Sequence, residues 1–380
     1  MTHHIFFHAD MDGMFSAAMV LNKFCGDEDY KLYPLRSNMR GESFNSLVKK
    51  SVQKESKIYI LDFQNDENAD LWIDHHPNYV FGNEPIFNKK IYYDYKSLSA
   101  FSLVYKYILE QTDKMKSADP EEHENIAAIA QFIDMVDSAR YPSVDFVFEN
   151  NSPGMLIYSF LETTFSSKMT INRVVEILSS TNMDLDRTIF TLDISKDKTE
   201  YMRKKASNIK KYIEIYEDSK ISLVRQGKNF TYPRYAENYF FPHIFYNIRV
   251  SPDMEKGYAY LQMSYNIWKE KPNQINIGKF IKKNQYIKGG GHFNAGGGSI
   301  KYCDLDNFLD DISNIIYQLN NKEDSMEKYS VDKENDPVEK KAEHIKTAKD
   351  KKEISSEDSS EVSSDEREKA IEEAKEELFE

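Results

Sequence analysis

His4-Ile5-Phe6-Phe7-His8-Ala9-Asp10-Met11-Asp12-Gly13 is the stretch that decides the fold, and it leads into an apolar run from Ser16 to Phe24. Its first half is short, apolar and aromatic. It breaks at Asp10 and resumes with helical character, so it reads as strand, loop and helix. The pattern recurs outward from there. Lys31 to Leu35 reads as a strand, Ser43 to Val52 as a helix, Lys57 to Leu61 as a strand ending at Asp62, and Ala69 to Ile73 as another ending at Asp74. Such alternation predicts a parallel sheet with crossover helices, whose ligand site lies outside the carboxyl ends of the strands. Asp10, Asp12, Asp62 and Asp74 fall there, with His8, His75 and His76 beside them.

Helical spacing continues over Ser97 to Glu110, with Ser97 as N-cap, and over Glu124 to Val136, where Ile126, Ile129, Ala130 and Ile133 share a face. This closes an α/β domain over residues 1–145. Residues 146–217 read as a helical connector that includes the charged run Thr199 to Tyr216. The texture then changes. Short strand patterns at Ile221 to Val224, Asn247 to Val250 and Ala259 to Met263 precede a helix at Ile277 to Lys282. A glycine-rich loop over Gly289 to Gly298 and a helix over Leu305 to Leu319 complete a smaller mixed α+β domain, 218–320. Residues 321–380 hold 21 acidic and 12 basic side chains with hardly an aromatic among them, a composition that predicts a disordered acidic tail.

Charge bounds the function. The chain carries a net charge of -13, of which the tail supplies -9, leaving -4 over residues 1–320. A broad basic face for gripping duplex DNA is therefore not expected from overall charge. The 23 Phe and 25 Tyr are ample for large cores. Cys25 and Cys303 are far apart, with no metal-ligand spacing and no disulfide framework, which suits a reducing, cytoplasmic setting. No apolar run approaches the ~18 residues of a membrane span, and no targeting segment is expected.

The polar residues at the strand ends carry the chemistry. Asp10-Met11-Asp12-Gly13 in isolation is an ordinary Asx-turn or helix cap, Asp62 an ordinary strand-end cap, and a lone His75 or His76 a hydrogen-bonded core histidine. Their conjunction changes the reading, because strand ends at positions 9, 62 and 74 can converge in one parallel sheet. Carboxylates and imidazoles without thiolate suit Mn²⁺ best, with Mg²⁺, Co²⁺ or Zn²⁺ as alternatives. Two such ions, about 3.5 to 4 Å apart, generate a nucleophile from water near neutral pH and clamp phosphate oxygens.

The order His-x-Asp-x-Asp-Gly-x-x-Ser-Ala over His8 to Ala17, then Asp62, then Asp74-His75-His76, resembles the DHH phosphoesterase superfamily. Gly289-Gly290-Gly291-His292-Phe293-Asn294-Ala295-Gly296-Gly297 is similar to the glycine-histidine signature of the DHH-associated C-terminal domain. The resemblance implies that Asp10 and His8 hold one ion, Asp12 and His75 the other, and that Asp62 bridges them. It implies further that His76 faces the substrate phosphate and that Asp74 orients the neighbouring histidine. A fourth acidic motif falls in Ile133-Asp134-Met135-Val136-Asp137, where Asp137 is favoured and Asp134 is the alternative.

For substrate, consecutive glycines at Gly290 and Gly291 let backbone N–H groups approach phosphate oxygens, with His292 and Asn294 beside them. Arg249, Arg36 and Arg40 are further phosphate candidates, although a solvated surface is the ordinary role of each. The expected protein is a two-lobed, Mn²⁺-dependent phosphodiesterase that closes around a short single-stranded oligonucleotide or dinucleotide. A phosphomonoesterase or polyphosphate or pyrophosphate hydrolase, and a catalytically silent nucleotide-binding scaffold, are the alternatives. A homodimer is compatible with each.

Overall fold

Ile5, Phe6, Phe7, Ile60, Leu61, Trp72 and Ile73 have no exposed surface, the condition of strands covered on both faces. The computed structural model describes residues 1–36, 39–52, 55–76, 84–111, 120–164, 168–194, 200, 204, 206–225, 233–269, 275–291 and 293–322. The expected tail from residue 323 on lies outside the described residues, and so does His292. Two compact units are formed: Met1–Tyr212 with Phe230–Pro242, and Ile213–Asn229 with His243–Glu380.

In the first unit the strands are β1 (Thr2–His8), β2 (Asp29–Leu35), β3 (Ser56–Leu61), β4 (Leu71–Asp74), β5 (Ile86–Phe87) and β6 (Ile91–Tyr93). They lie in the order β2-β1-β3-β4-β6-β5, and every pairing is parallel except β5 with β6. The register positions the site. Phe7 is opposite Leu61, Leu61 opposite Ile73 and Ile73 opposite Tyr92, so the next residues on three adjacent strands, His8, Asp62 and Asp74, emerge level with one another. Because the chain runs from β1 to β2 on one side and continues at β3 on the other, this edge is also where the strand order reverses, the place an open parallel sheet leaves a crevice.

Helix α1 (Met11–Val20) is buried over its whole length, and α3 (Ala100–Gln111), α4 (Pro120–Asp137) and α7 (Lys168–Ser180) pack against it. An apolar run with no polar face can be a helix only in such a setting. On the opposite side α2 (Glu42–Ser51) sends Phe44 and Val48 into a cluster with Phe6, Ile58, Ile60, Phe63 and Trp72. Helices α5 (Val144–Glu149), α6 (Pro153–Thr164) and α8 (Leu185–Thr191) also lie in this unit, so residues 146–212 of the expected connector are part of it. The charged run from Thr199 does not continue as a helix to Tyr216, because Ile213–Tyr216 alternates inward isoleucines with outward polar groups and forms β7.

The second unit contains β7, β8 (Ile221–Arg225), β9 (Tyr246–Asp253), β10 (Tyr258–Tyr265), β11 (Ile287–Gly291) and β12 (Ala295–Lys301), in the order β11-β12-β10-β9-β8-β7. All pairings are antiparallel except β8 with β9. Ile277–Lys283 and Leu305–Lys322 are helices whose Ile277, Phe280, Ile281, Phe308 and Ile312 share one core with Leu223, Ile248, Val250, Leu261 and Ile300. The glycine cluster is not a loop. Gly289, Gly290 and Gly291 pair with Gly298, Gly297 and Gly296 as a hairpin. A Cβ on Gly289 would stand 2.1 Å from the Gly297 carbonyl oxygen and one on Gly298 2.4 Å from that of Lys288, so the strands approach as only glycine allows. Among the described residues no helix is long and apolar enough to cross a membrane.

Candidate metal centre

The loop after β1 is tied onto its own strand. Asp10 caps α1 by accepting from the Gly13 N–H at 3.0 Å. A Cβ on Gly13 would lie 2.1 Å from the His8 carbonyl oxygen, so glycine is what lets the helix start so close to the strand end. His8 and Asp10 are thereby held together, Nδ1 to Oδ2 at 2.5 Å. Asp12 lies in the first turn of the helix, fully buried. Its two oxygens accept from the Ala100 and Phe101 N–H groups at 2.7 Å each, which fixes the carboxylate against the N-terminus of α3.

Asp62 ends β3 in the left-handed region, φ 55°, a conformation rare for a residue with a Cβ. Its side chain is 1% exposed and centrally placed. Oδ2 lies 3.6 Å from His8 Nδ1, while Oδ1 lies 3.6 Å from His75 Nε2 and 3.4 Å from His76 Nδ1. At the end of β4, Asp74 Oδ1 accepts from the backbone N–H groups of His75 and His76 at 2.9 and 3.2 Å and faces His76 Nδ1 at 2.9 Å. His75 Nδ1 faces the Ser97 carbonyl oxygen at 3.2 Å, which directs Nε2 toward Asp12 at 3.6 Å and Asp137 at 3.3 Å.

The two carboxylates at the end of α4 part company. Asp137 points toward His75. Asp134 is one turn earlier, where Oδ1 accepts from the Ser99 and Ser102 hydroxyls at 2.5 and 2.8 Å. Ser99, rather than Ser97, also caps α3 by accepting from the Ser102 N–H. Three groupings result in which every donor lies within 4.8 Å of the others: His8, Asp10 and Asp62; Asp12, His75 and Asp137; and Asp62, His75 and His76.

These groups perturb one another strongly. Burial would lower the His8 pKa, but Asp10 and Asp62 outweigh it and push it up to about 11. Burial likewise opposes charge on His75, yet Asp62, Asp12 and Asp137 hold its pKa well above the usual range. Burial, with Asp62 and Asp137 nearby, holds Asp12 well above the ordinary carboxylate range, and burial reinforced by Asp10 and Asp62 pushes Asp137 up to about 7. Burial would raise Asp62 too, but the imidazoles of His75, His8 and His76 around it hold it well below the ordinary range. Asp62 Oδ1 and Oδ2 and His75 Nε2 are buried without any hydrogen bond, the condition expected of atoms whose partner is an ion.

No protein-family model and no curated protein matches this sequence. Solved structures do. The pGpG-specific phosphodiesterase PggH of Vibrio cholerae superposes with a TM-score of 0.57 at 17% identity, covering 84% of this chain and 99% of that one. The DHH domain of a member of a ribosomal-protein family superposes with a TM-score of 0.50 at 13% identity, over 83% of this chain and 87% of that one. The chain has the fold of the DHH phosphoesterases.

Within this DHH fold the other candidate residues are divided between the two units. Arg36 follows β2 and is exposed, and Arg40, also exposed, lies over the Phe63 ring at 5.5 Å. Arg249 is on β9, half-buried. Gly290 and Gly291 end β11, and the hairpin turn that contains Asn294 is fixed by the Ile277 N–H donating to the Phe293 carbonyl and the Tyr265 N–H to the Asn294 carbonyl, 2.9 and 3.0 Å. The groups that sequence reasoning missed are the Ser97 carbonyl and the Ala100 and Phe101 amides. Backbone groups leave no mark in a sequence, so only the serine-rich start of α3 could have signalled them.

Proposed function

We propose that this protein is a divalent-metal-dependent phosphodiesterase acting on short single-stranded oligonucleotides or dinucleotides. The observation that supports it most directly is the division of Asp62: one oxygen faces His8 of the His8–Asp10 pair, and the other faces His75 of the Asp12–His75–Asp137 group. A carboxylate buried in that way, with no hydrogen bond to either oxygen, suits a bridge between two cations. His8 and Asp10 would hold one, and Asp12, His75 and Asp137 the other. Donors that are all oxygen or imidazole nitrogen suit Mn²⁺, with Mg²⁺ or Co²⁺ as alternatives.

Two such ions would supply Lewis-acid stabilisation of phosphoryl oxygens and a nucleophile from water near neutral pH. The protein's own groups do the rest. Asp74 fixes His76 through Nδ1, leaving Nε2 as the atom to meet a substrate phosphate. The Ser97 carbonyl fixes the tautomer of His75. Gly290, Gly291, Asn294 and Arg249 of the second unit, together with His292, are the groups we assign to substrate binding, and Arg36 and Arg40 are assigned to phosphate contacts in the first. That a protein of the same fold is a pGpG-specific phosphodiesterase supports a dinucleotide among the substrates.

The test is hydrolysis by the full chain with Mn²⁺, beside Asp62→Asn, of di- and pentanucleotides, cyclic dinucleotides, pyrophosphate and polyphosphate. Mononucleotide release that the variant loses is the expected result. Cleavage of pyrophosphate or polyphosphate alone would replace the reading with a polyphosphate hydrolase, and metal binding without turnover would replace it with a nucleotide-binding protein.

A further inference from the structure

One face of the second sheet is covered; the other is buried at β8, where Ser222 and Val224 have no exposed surface, and open at Tyr258, Tyr260 and Gln262 of β10. Ala259, Leu261 and Met263 turn into the core with Ile248, Val250 and Ile300. Neighbouring residues on a strand point to opposite faces, so Tyr258, Tyr260 and Gln262 share the other side. Tyr258 is 43% and Tyr260 54% exposed, far more than aromatic side chains on a strand need be.

The register arranges this face in rows. Across four strands, Gly290, Gly297, Gln262 and Arg249 stand side by side, so the row has no side chain at all on β11 and β12. The next row places Lys288 and Ser299 beside Tyr260, and the one after it places Lys301 beside Tyr258. A Cβ on Gly290 would meet nothing within 4 Å, so packing does not demand the glycine there. Charge is concentrated in the same segment. Residues 246–301 carry nine Lys and Arg against three Asp and Glu, net +6, in a chain whose net charge is -13; the rows of this face hold Lys288, Lys301 and Arg249 of these, with Asp253 beside Tyr258.

We propose that this face is a platform for single-stranded nucleic acid, on which Tyr258 and Tyr260 stack successive bases while Lys288, Lys301 and Arg249 draw in the phosphates. Stacking on exposed aromatics is tolerant of sequence, and a row of bare backbone lets a strand lie close to the sheet. The local positive charge supplies the complement to a polyanion that the chain as a whole lacks. This extends the phosphodiesterase reading above and rests on it for the substrate class: a strand several nucleotides long gains affinity that a dinucleotide cannot.

The test separates binding from turnover. With the full chain in EDTA, fluorescence anisotropy is measured for labelled single-stranded oligonucleotides of increasing length and for a duplex. Affinity is expected to rise with length for single strands and to fall about tenfold or more for the longest in the Tyr258→Ala, Tyr260→Ala double variant. Tyr260→Trp is expected to retain it, and Lys288→Gln to flatten the salt dependence of log Kd by about 0.7. Equal affinity in the wild type and the double variant with an unchanged unfolding midpoint, duplex bound as tightly as single strand, or no oligonucleotide bound would each overturn the platform. Hydrolysis with Mn²⁺ is read separately. Tyr-dependent, length-dependent binding without any hydrolysis would remove the catalytic reading and keep the platform, whereas dinucleotide hydrolysis without length-dependent binding would do the reverse.

Discussion

The carboxyl edge of the first sheet and the open face of the second both display polar groups, but they do so at opposite energetic extremes. At the edge, Asp12, Asp62 and Asp74 are buried, and they converge from three separate strand ends. On the open face Lys288, Lys301, Tyr258 and Tyr260 stand in solvent, and the register of neighbouring strands alone aligns them. Buried carboxylates that repel one another cost stability unless something charged answers them. Exposed lysines and tyrosines cost almost nothing. The first region is therefore expected to be linked thermodynamically to its ligand and the second to be nearly independent of folding.

Asp62→Asn should produce the largest effect. A carboxylate shared between two ions matters more than a group that merely orients a ligand, and loss of the latter typically costs about 10–100-fold, so hydrolysis should fall by more than about 100-fold. Without Mn²⁺ the variant should unfold at a lower temperature than the wild type near neutral pH, because the imidazoles that hold the Asp62 pKa low, chiefly His75 and His8, favour its charged form in the folded state. Mn²⁺ at about 100 times its Kd should stabilise the wild type by about 2.7 kcal/mol and the variant by far less. A thermal unfolding series with and without Mn²⁺ reads both. Tyr260→Ala should show the full Mn²⁺ stabilisation, and a loss there would mean that the two regions are coupled.

Asp137→Asn and Asp134→Asn come next, and they should diverge. Asp137 faces His75 at 3.3 Å, so its replacement should lower turnover by about 10–100-fold. Asp134 accepts two serine hydroxyls, so its replacement should instead cost about 1–3 kcal/mol of stability while turnover stays within a few-fold. Steady-state kinetics beside urea unfolding separates the two. The reverse outcome would exchange their roles.

That pair also marks how far the sequence could be read. That Asp10, Asp12, Asp62 and His75 would come together was legible because a change from strand to loop at an acidic residue is a local signal, and a parallel sheet brings such ends level. Asp134 and Asp137 lie one turn apart on one helix, and what separates them is a pair of hydroxyls more than thirty residues earlier in the chain. No local pattern contains that. The glycine hairpin was unreadable for another reason: strand recognition depends on side chains alternating, and Gly289, Gly290 and Gly291 have none, so a paired strand looked like a loop. The open face was legible in principle. Tyr258-Ala259-Tyr260-Leu261-Gln262-Met263 alternates outward and inward residues, but outward aromatics are invisible as such until the inward partners are known.

The smallest expected effect is the most discriminating, because it compares adjacent glycines. A Cβ on Gly291 would stand 2.3 Å from the Gly296 Cα and 2.4 Å from the Ala295 carbonyl oxygen, so Gly291→Ala must part the hairpin and should cost about 1–3 kcal/mol. A Cβ on Gly290 meets nothing within 4 Å, and its φ is not in the left-handed region, so Gly290→Ala should shift stability by no more than about 0.5 kcal/mol in either direction. Its methyl would nevertheless rise into the bare row beside Gly297. If that row exists for a strand to lie on, oligonucleotide affinity should drop a few-fold with the unfolding midpoint unmoved. A methyl at 290 that left both affinity and stability unchanged would show the bare row to be incidental, and would leave Tyr258, Tyr260 and the basic residues to account for any binding to this face.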